Sequence, residues 1–308
     1  MKQPLQRKLK VTLPLHPKWL VVLAISSLMI TAVVAQGSPG YVAREDGAWI
    51  HYLEAGKQAG SETSVLFVPG WTMPAWIWGQ QLASLQGEYR VVAMSPRSQG
   101  RSSKETDGHY PAARAGDIKL VIDQLALKRV LLVAWSLGVS EAVAFVDRYG
   151  SDNLAGLVLV DGLAGQDAAV AMSSESISEM AALQSDREAA TRSFVTSMFR
   201  TRRSPEYLNR LTQAALDTPA NSALALLLGA FTFDLRDSLS NIDVPTLIAV
   251  AGNEQNPYMP EYRAMQEAIP GARLEIFPEA GHALFVDESA RFNQLLRQFL
   301  GQIVSPGG

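Results

Sequence analysis

The stretch from Arg129 to Val146 (RVLLVAWSLGVSEAVAFV) carries the strongest chemical signal in the chain. An apolar run ends in Trp135-Ser136-Leu137-Gly138 and passes straight into a helical pattern. A serine on a tight strand-to-helix turn is forced into strained backbone geometry, so the positions two before and two after it must be small. Ala134 and Gly138 meet that need. The helix starting beside Ser136 points free N–H groups and the positive end of its dipole at the serine oxygen. The pattern reads as a nucleophile elbow, with Ser136 attacking and the Leu137 N–H as one oxyanion donor. A helix N-cap serine is the plainer reading of the same residues.

A serine nucleophile needs a base. Of the four histidines, His16 lies in the basic head of the chain, His51 in an early strand pattern and His109 in a loop of surface-like composition. His282 stands in PEAGHALFVDESARFNQLLRQFL, residues 278 to 300, on a Gly-containing loop between a strand pattern and the final amphipathic segment. A loop histidine there can swing its ring over a serine held at a neighbouring strand end, as general base. Acyl transfer also needs a second backbone donor for the developing oxyanion, and losing one donor costs roughly 3–4 kcal/mol. Val65 to Trp71 (VLFVPGW), a buried strand ending in a Gly turn, offers the Trp71 N–H. Trp76, Trp78 and Trp135 are candidates for pocket walls, with packing as the simpler role for the first two.

These groups must be held by a sheet. Candidate strands are Ile50 to Leu53, Val65 to Val68, Arg90 to Met94, Val130 to Ala134, Leu157 to Val160, Thr246 to Ala251 and Leu274 to Phe277. The later ones are almost wholly apolar, as parallel strands covered on both faces are. Helical spacing appears over Ala113 to Leu125, Leu137 to Tyr149, Glu261 to Ala268 and Ser289 to Ile303. The alternation predicts a doubly wound, mostly parallel α/β sheet. Residues 164 to 243 show helical patterns and no clear strand, too long for a loop, and read as an inserted helical cap. Its Met172, Met180, Phe194, Met198, Phe199 and the run Ala223 to Phe231 either line a greasy entrance or pack the cap onto the sheet. Arg200, Arg202 and Arg203 form a basic patch, read as a solvated face rather than an anion site. GSPG, residues 37 to 40, reads as a linker.

Composition bounds the rest. A chain of 308 residues that is 47% hydrophobic buries a large core. Its net charge is −3, but Lys2, Arg7, Lys8, Lys10 and Lys18 all fall in a head that has no acid. Without those five, 22 basic residues face 30 acidic ones, an acidic body that argues against nucleic acid as a partner. The head runs into Trp19 to Val34 (WLVVLAISSLMITAVV), the layout of a signal peptide, with Val33 and Ala35 suited to the −3 and −1 pockets of a signal peptidase. Cleavage after Ala35 gives a periplasmic or secreted domain over 36–308. An uncleaved anchor tethered to the inner membrane is the rival reading, since the stretch is slightly short of the ~20 residues that span a bilayer. There is no cysteine, hence no disulfide and no thiol nucleophile. No H-E-x-x-H, Walker-type loop or strand-borne G-x-G-x-x-G occurs, so neither metal nor cofactor is expected. Oligomeric state is not encoded in any of these patterns.

From about residue 41 to 303 the chain resembles the single-domain α/β-hydrolase family of esterases, lactonases, dehalogenases and perhydrolases. The likeness extends to SPRSQGRSS, residues 95 to 103, similar to the family's D-x-R-G-x-G-x-S turn, and to GHALFVDESARFN around His282. Ser95, Ser98 and Gln99 replace the usual Asp, Gly and His of that turn, and Pro69-Gly70 replaces the family's His-Gly. The resemblance implies a serine hydrolase acting on a small-molecule ester, thioester or lactone. A dehalogenase would need a carboxylate where Ser136 stands. A cofactor-free haloperoxidase-like activity would use the same residues, and a non-catalytic binding protein on this fold is the reading from a different class.

The triad acid stays open. The family's G-x-x-D-x-x-x-P pattern falls on Gly252-Asn253-Glu254-Gln255-Asn256-Pro257-Tyr258-Met259-Pro260, with no carboxylate in register. Glu254 is one residue away. Asp161, at the end of LVLVD, resembles the placement in one branch of the dehalogenases and keeps the chain order Ser136, Asp161, His282. A Ser-His pair without an acid is the third reading.

Overall fold

The computed structural model describes residues 37–56, 62–166, 173–253 and 255–304. The expected signal segment 1–35, Met172 and Glu254 lie outside them. Among the described residues eight strands form one sheet: β1 (Ser38–Ala43), β2 (Trp49–Ala55), β3 (Ser64–Val68), β4 (Arg90–Ser95), β5 (Val130–Trp135), β6 (Leu154–Val160), β7 (Thr246–Ala251) and β8 (Arg273–Phe277). Their order is β1-β2-β4-β3-β5-β6-β7-β8. β1 pairs antiparallel with β2 and β2 antiparallel with β4, whereas β4, β3, β5, β6, β7 and β8 run parallel.

β5 and β6 at the centre are apolar at every position because both faces are covered. Alternate residues feed two cores. Val65, Phe67, Leu131 and Val133 face helices α1 (Gly79–Leu85) and α9 (Ser289–Val304), meeting Leu82, Leu85, Phe292 and Leu296. Leu66, Val68, Leu132 and Ala134 face α2 (Pro111–Gln124), α3 (Leu137–Tyr149) and α8 (Met259–Ala268), meeting Ile118, Val121, Val143 and Met265. A helical insert separates β6 from β7, made of α4 (Ser174–Ser185), α5 (Arg187–Ser197), α6 (Pro205–Leu216), α7 (Ala220–Thr232) and a 3₁₀ turn, Arg236–Asn241. Side-chain caps start two of its helices, Asp186 accepting from Ala189 N and Ser204 from Tyr207 N.

Three sequence expectations are corrected. Ser38–Gly40, expected as linker, is the start of β1. Pro39 is tolerated there because β1 is an edge strand with one neighbour, so a missing N–H costs no ladder bond on the open side. A 3₁₀ turn, Ala75–Trp78, and α1 follow β3 where no helix was expected. His109 is buried, not superficial: only 7% of it is exposed.

Candidate active site

Strand register brings the chemical residues together. β5 and β6 run parallel with Trp135 opposite Val160, so the next residues, Ser136 and Asp161, leave the sheet side by side. Ser136 N donates to Val160 O at 2.8 Å and Asp161 N to Ala249 O at 2.9 Å. Both take left-handed backbone angles, φ 56° at Ser136 and φ 43° at Asp161, which L-residues avoid unless their surroundings hold them there. Close approach fixes the glycines around them. A Cβ on Gly162 would lie 2.3 Å from Ser136 O, and one on Gly70 would lie 2.7 Å from Ser136 Cβ.

His282 comes from the loop after β8, whose Phe277 pairs with Ala251 of β7. Trp135 Nε1 donates to His282 O at 2.9 Å and its ring lies 5.1 Å from the imidazole, so the elbow strand carries the histidine loop. His282 Nδ1 lies 2.7 Å from Asp161 Oδ2. The other carboxylate oxygen accepts from Ala251 N at 2.9 Å and from the Tyr262 hydroxyl at 3.3 Å. Burial first, then the neighbouring Asp161 charge, pushes the Tyr262 phenol well above its usual value, so it remains a donor. With Nδ1–H given to this carboxylate, Nε2 is the nitrogen free to take a proton.

Ser136, His282, Asp161, Trp71 and Leu137 all line one cavity of about 700 Å³. The insert adds Phe194, Leu227, Ala230 and Phe233, and the segment after β7 adds Asn253, Asn256 and Tyr258. Phe194 stands edge-on to Trp71 with ring centroids 5.0 Å apart, and Trp71 Nε1 donates to Ala223 O of α7 at 2.8 Å.

Other expected pocket residues go elsewhere. Trp78 is fully buried and stacks on Phe285 at 3.8 Å, and Trp76 carries Arg210 over its face at 4.1 Å. Neither they nor Trp135 line the cavity. Met198 is core. Of the arginine patch, Arg203 pairs with the buried Asp287 at 2.5 Å, Arg202 is exposed, and Arg200 lines the cavity 3.6 Å from Glu279.

Sequence reasoning missed two supports of the site. Asp287 accepts from Gly281 N and Arg200 N, both at 2.8 Å, and so ties the histidine loop to the turn after α5. Gln99, Arg114 and Glu141 form a buried chain beneath the Gly70 loop. The SPRSQGRSS turn is the visible signal for the second; Asp287 lies within the GHALFVDESARFN likeness, which does not single it out.

Residues 65–295 match the model of the alpha/beta hydrolase family, three quarters of the chain. The chain belongs to that family. Among relatives of this α/β hydrolase is the AB hydrolase superfamily protein YisY of Bacillus subtilis, 25% identical with 76% of this chain and 90% of that one covered. A non-heme haloperoxidase of Rhodococcus erythropolis is 28% identical over 84% of this chain and 98% of its own length. The structure of the esterase EaEST from Exiguobacterium antarcticum superposes with a TM-score of 0.77 at 24% identity, covering 87% of this chain and all of that one. At that identity the last likeness concerns the fold.

Proposed function

We propose that this α/β hydrolase is a serine hydrolase that cleaves a carboxylic ester, thioester or lactone through an acyl-enzyme. The observation that carries the reading is the 2.7 Å contact of His282 Nδ1 with Asp161 Oδ2 in the cavity that Ser136 also lines. Ser136 Oγ attacks the carbonyl while His282 Nε2 takes its proton, and Asp161 stabilises the imidazolium. The Trp71 and Leu137 N–H groups receive the oxyanion. The imidazolium then protonates the leaving alcohol, thiol or lactone oxygen, and water repeats the cycle on the acyl group. Asp161 rather than Glu254 is the acid in this reading, because its second oxygen is already fixed by Ala251 N and Tyr262.

A fluorophosphonate probe labelling Ser136 of the folded protein tests the reading. Ser136→Ala should abolish labelling and lower kcat on short p-nitrophenyl esters about 10⁴- to 10⁶-fold. Ester hydrolysis that survives this change, or a folded wild type that never labels, refutes it and leaves the binding-protein reading. The haloperoxidase relative motivates one companion assay, perhydrolysis of acetate by hydrogen peroxide, which draws on the same acyl-enzyme.

We also propose that the chain is exported and cut after Ala35. N-terminal sequencing of the fractionated protein should begin at Gln36. Full-length protein in the soluble cytoplasm contradicts export, and full-length protein in the inner-membrane fraction identifies an anchor.

A further inference from the structure

The Gly70–Met73 turn holds a strained residue. Met73 N closes it onto Gly70 O at 3.2 Å, and Thr72 sits at φ 59°, a left-handed conformation that is an outlier for a β-branched residue. Such strain persists only where the surroundings over-determine it. Thr72 Oγ1 donates to Trp71 O at 2.7 Å and Trp71 Nε1 to Ala223 O at 2.8 Å, and the carbonyls at the two ends of the turn are held by one side chain. Gln99, fully buried, uses Nε2 to donate to both ends of the turn, to Gly70 O at 3.0 Å and to Met73 O at 2.9 Å.

The carbonyl that Gln99 holds belongs to the same planar, trans peptide as the Trp71 N–H. Fixing the oxygen on one side aims the hydrogen to the other. Behind Gln99, the buried Arg114 donates Nη2 to Gln99 Oε1 at 3.0 Å, and its Nε donates to Glu141 of α3. Guanidinium, side-chain amide and backbone amide thus line up head to tail, each polarising the next, and the row ends at the Trp71 N–H. We propose that Gln99 is a positioning residue for the oxyanion hole: through the Gly70–Trp71 peptide it aims and polarises the donor that receives the negative charge of the tetrahedral intermediate. This rests on the serine hydrolase reading.

Three further observations define the relay. Glu141 lies on the elbow helix, five residues after Ser136, so the chain joins the two sources of oxyanion donors, the helix start and the turn. Arg114 is kept in place by a third bond, Nη1 to Arg97 O at 3.3 Å, while Arg97 itself grips Asp117 through two bonds of 2.7 Å. Ser98, at φ 65°, is held by its own hydroxyl, which accepts from Glu105 N at 3.0 Å and lies 2.9 Å from His109 Nε2. The turn that carries Gln99 is therefore anchored independently of the loop it supports.

The test uses Gln99→Met, which keeps the shape and removes the amide, and Gln99→Glu, which keeps an acceptor for Arg114 but has no donor for Gly70 and Met73. For each, kcat and KM on p-nitrophenyl acetate, the fluorophosphonate labelling rate at Ser136 and the crystal structure are compared with wild type. The expected result is a kcat lowered about 10- to 100-fold, less than outright loss of a donor, with KM changed by less than about threefold and labelling slowed in parallel. The Gly70–Trp71 peptide should turn from its wild-type plane while Ser136, Asp161 and His282 stay in place. A folded variant with wild-type kcat, or with that peptide unmoved, overturns the proposal. A wild type that neither hydrolyses esters nor labels refutes the hydrolase reading instead, and the peptide orientation still judges the role of Gln99.

Discussion

The strand ends of the sheet and the helical insert build two walls of the cavity in different ways. On the sheet side Ser136 and Asp161 are pinned by backbone: they leave register-paired strands with positive φ, and Gly70 and Gly162 press against the serine with no room for a Cβ. On the insert side the contributions are side chains on helix faces, with Phe194 and Leu227 lining the cavity from α5 and α7. The first construction tolerates no displacement of a reacting atom; the second can exchange one apolar group for another at modest cost. Substitutions on the two walls should therefore differ in kind, kcat for the sheet and substrate choice for the insert.

The largest effect after loss of the nucleophile itself should come from Asp161→Asn. The amide cannot stabilise an imidazolium and would favour the wrong tautomer of His282, so kcat should fall about 10⁴-fold, the serine-protease precedent. Glu254→Gln should change little. Steady-state kinetics on both variants, at matched thermal stability, decide it. The reverse ranking moves the role to Glu254, and two harmless changes mean a Ser-His pair.

Much of the sheet wall is legible in the sequence. The elbow is visible because a buried strand, a pair of small residues and a helix must occur together there, and His282 because few histidines compete. The candidate acids are not separable in the sequence, since the chain does not record which of two neighbouring strand ends, β6 or β7, faces the imidazole. The structure puts Asp161 Oδ2 at 2.7 Å. β1 escaped because an edge strand can carry Pro39 and Gly40, residues that elsewhere break strands. Gln99, Arg114 and Glu141 escaped for another reason: they come from three elements, and no periodicity links them. The insert was legible only as helix, and the division of its apolar residues between core and cavity had to await the fold.

Asp287 joins the two walls and should give an intermediate effect. Its side chain is wholly buried, accepting from Gly281 N beside the histidine and from Arg200 N, Thr201 and Arg203 on the insert turn. Burial alone would raise its pKa. The bonds from Thr201, Gly281, Arg200 and Arg203 outweigh it and hold the carboxyl below its usual value. A depressed carboxyl contributes stability that is complete above the unfolded pKa near ~4 and is lost as pH falls through the lower folded value. Asp287→Asn should cost about 3 kcal/mol near neutrality, by analogy with breaking a buried pair, and that gap should narrow below about pH 4. Thermal melts of wild type and variant across pH measure it, and a gap that widens in acid contradicts the account. Because the clamp also places Gly281, kcat should fall before the fold does.

The smallest change tests the insert wall alone. Phe194 packs beside Trp71 and Leu137 and stands edge-on to the Trp71 indole, whose Nε1 is separately tied to Ala223 O. Gln99 holds the Gly70 carbonyl from the other side, so trimming Phe194 should leave the proposed oxyanion donor, the Trp71 N–H, where it is. What changes is the room and the apolar surface offered to substrate. Hydrophobic pockets discriminate weakly, a methylene being worth about 1–3 kcal/mol. Phe194→Leu should therefore move the preferred acyl length among p-nitrophenyl esters, altering the ratio of kcat/KM between butyrate and acetate by about tenfold. For acetate, the shortest acyl group of the series, kcat should stay within about twofold of wild type. Kinetics on the ester series separate the two walls directly. A uniform drop in kcat for every ester would mean that Phe194 helps to place Trp71, and that insert and sheet act as one wall rather than two.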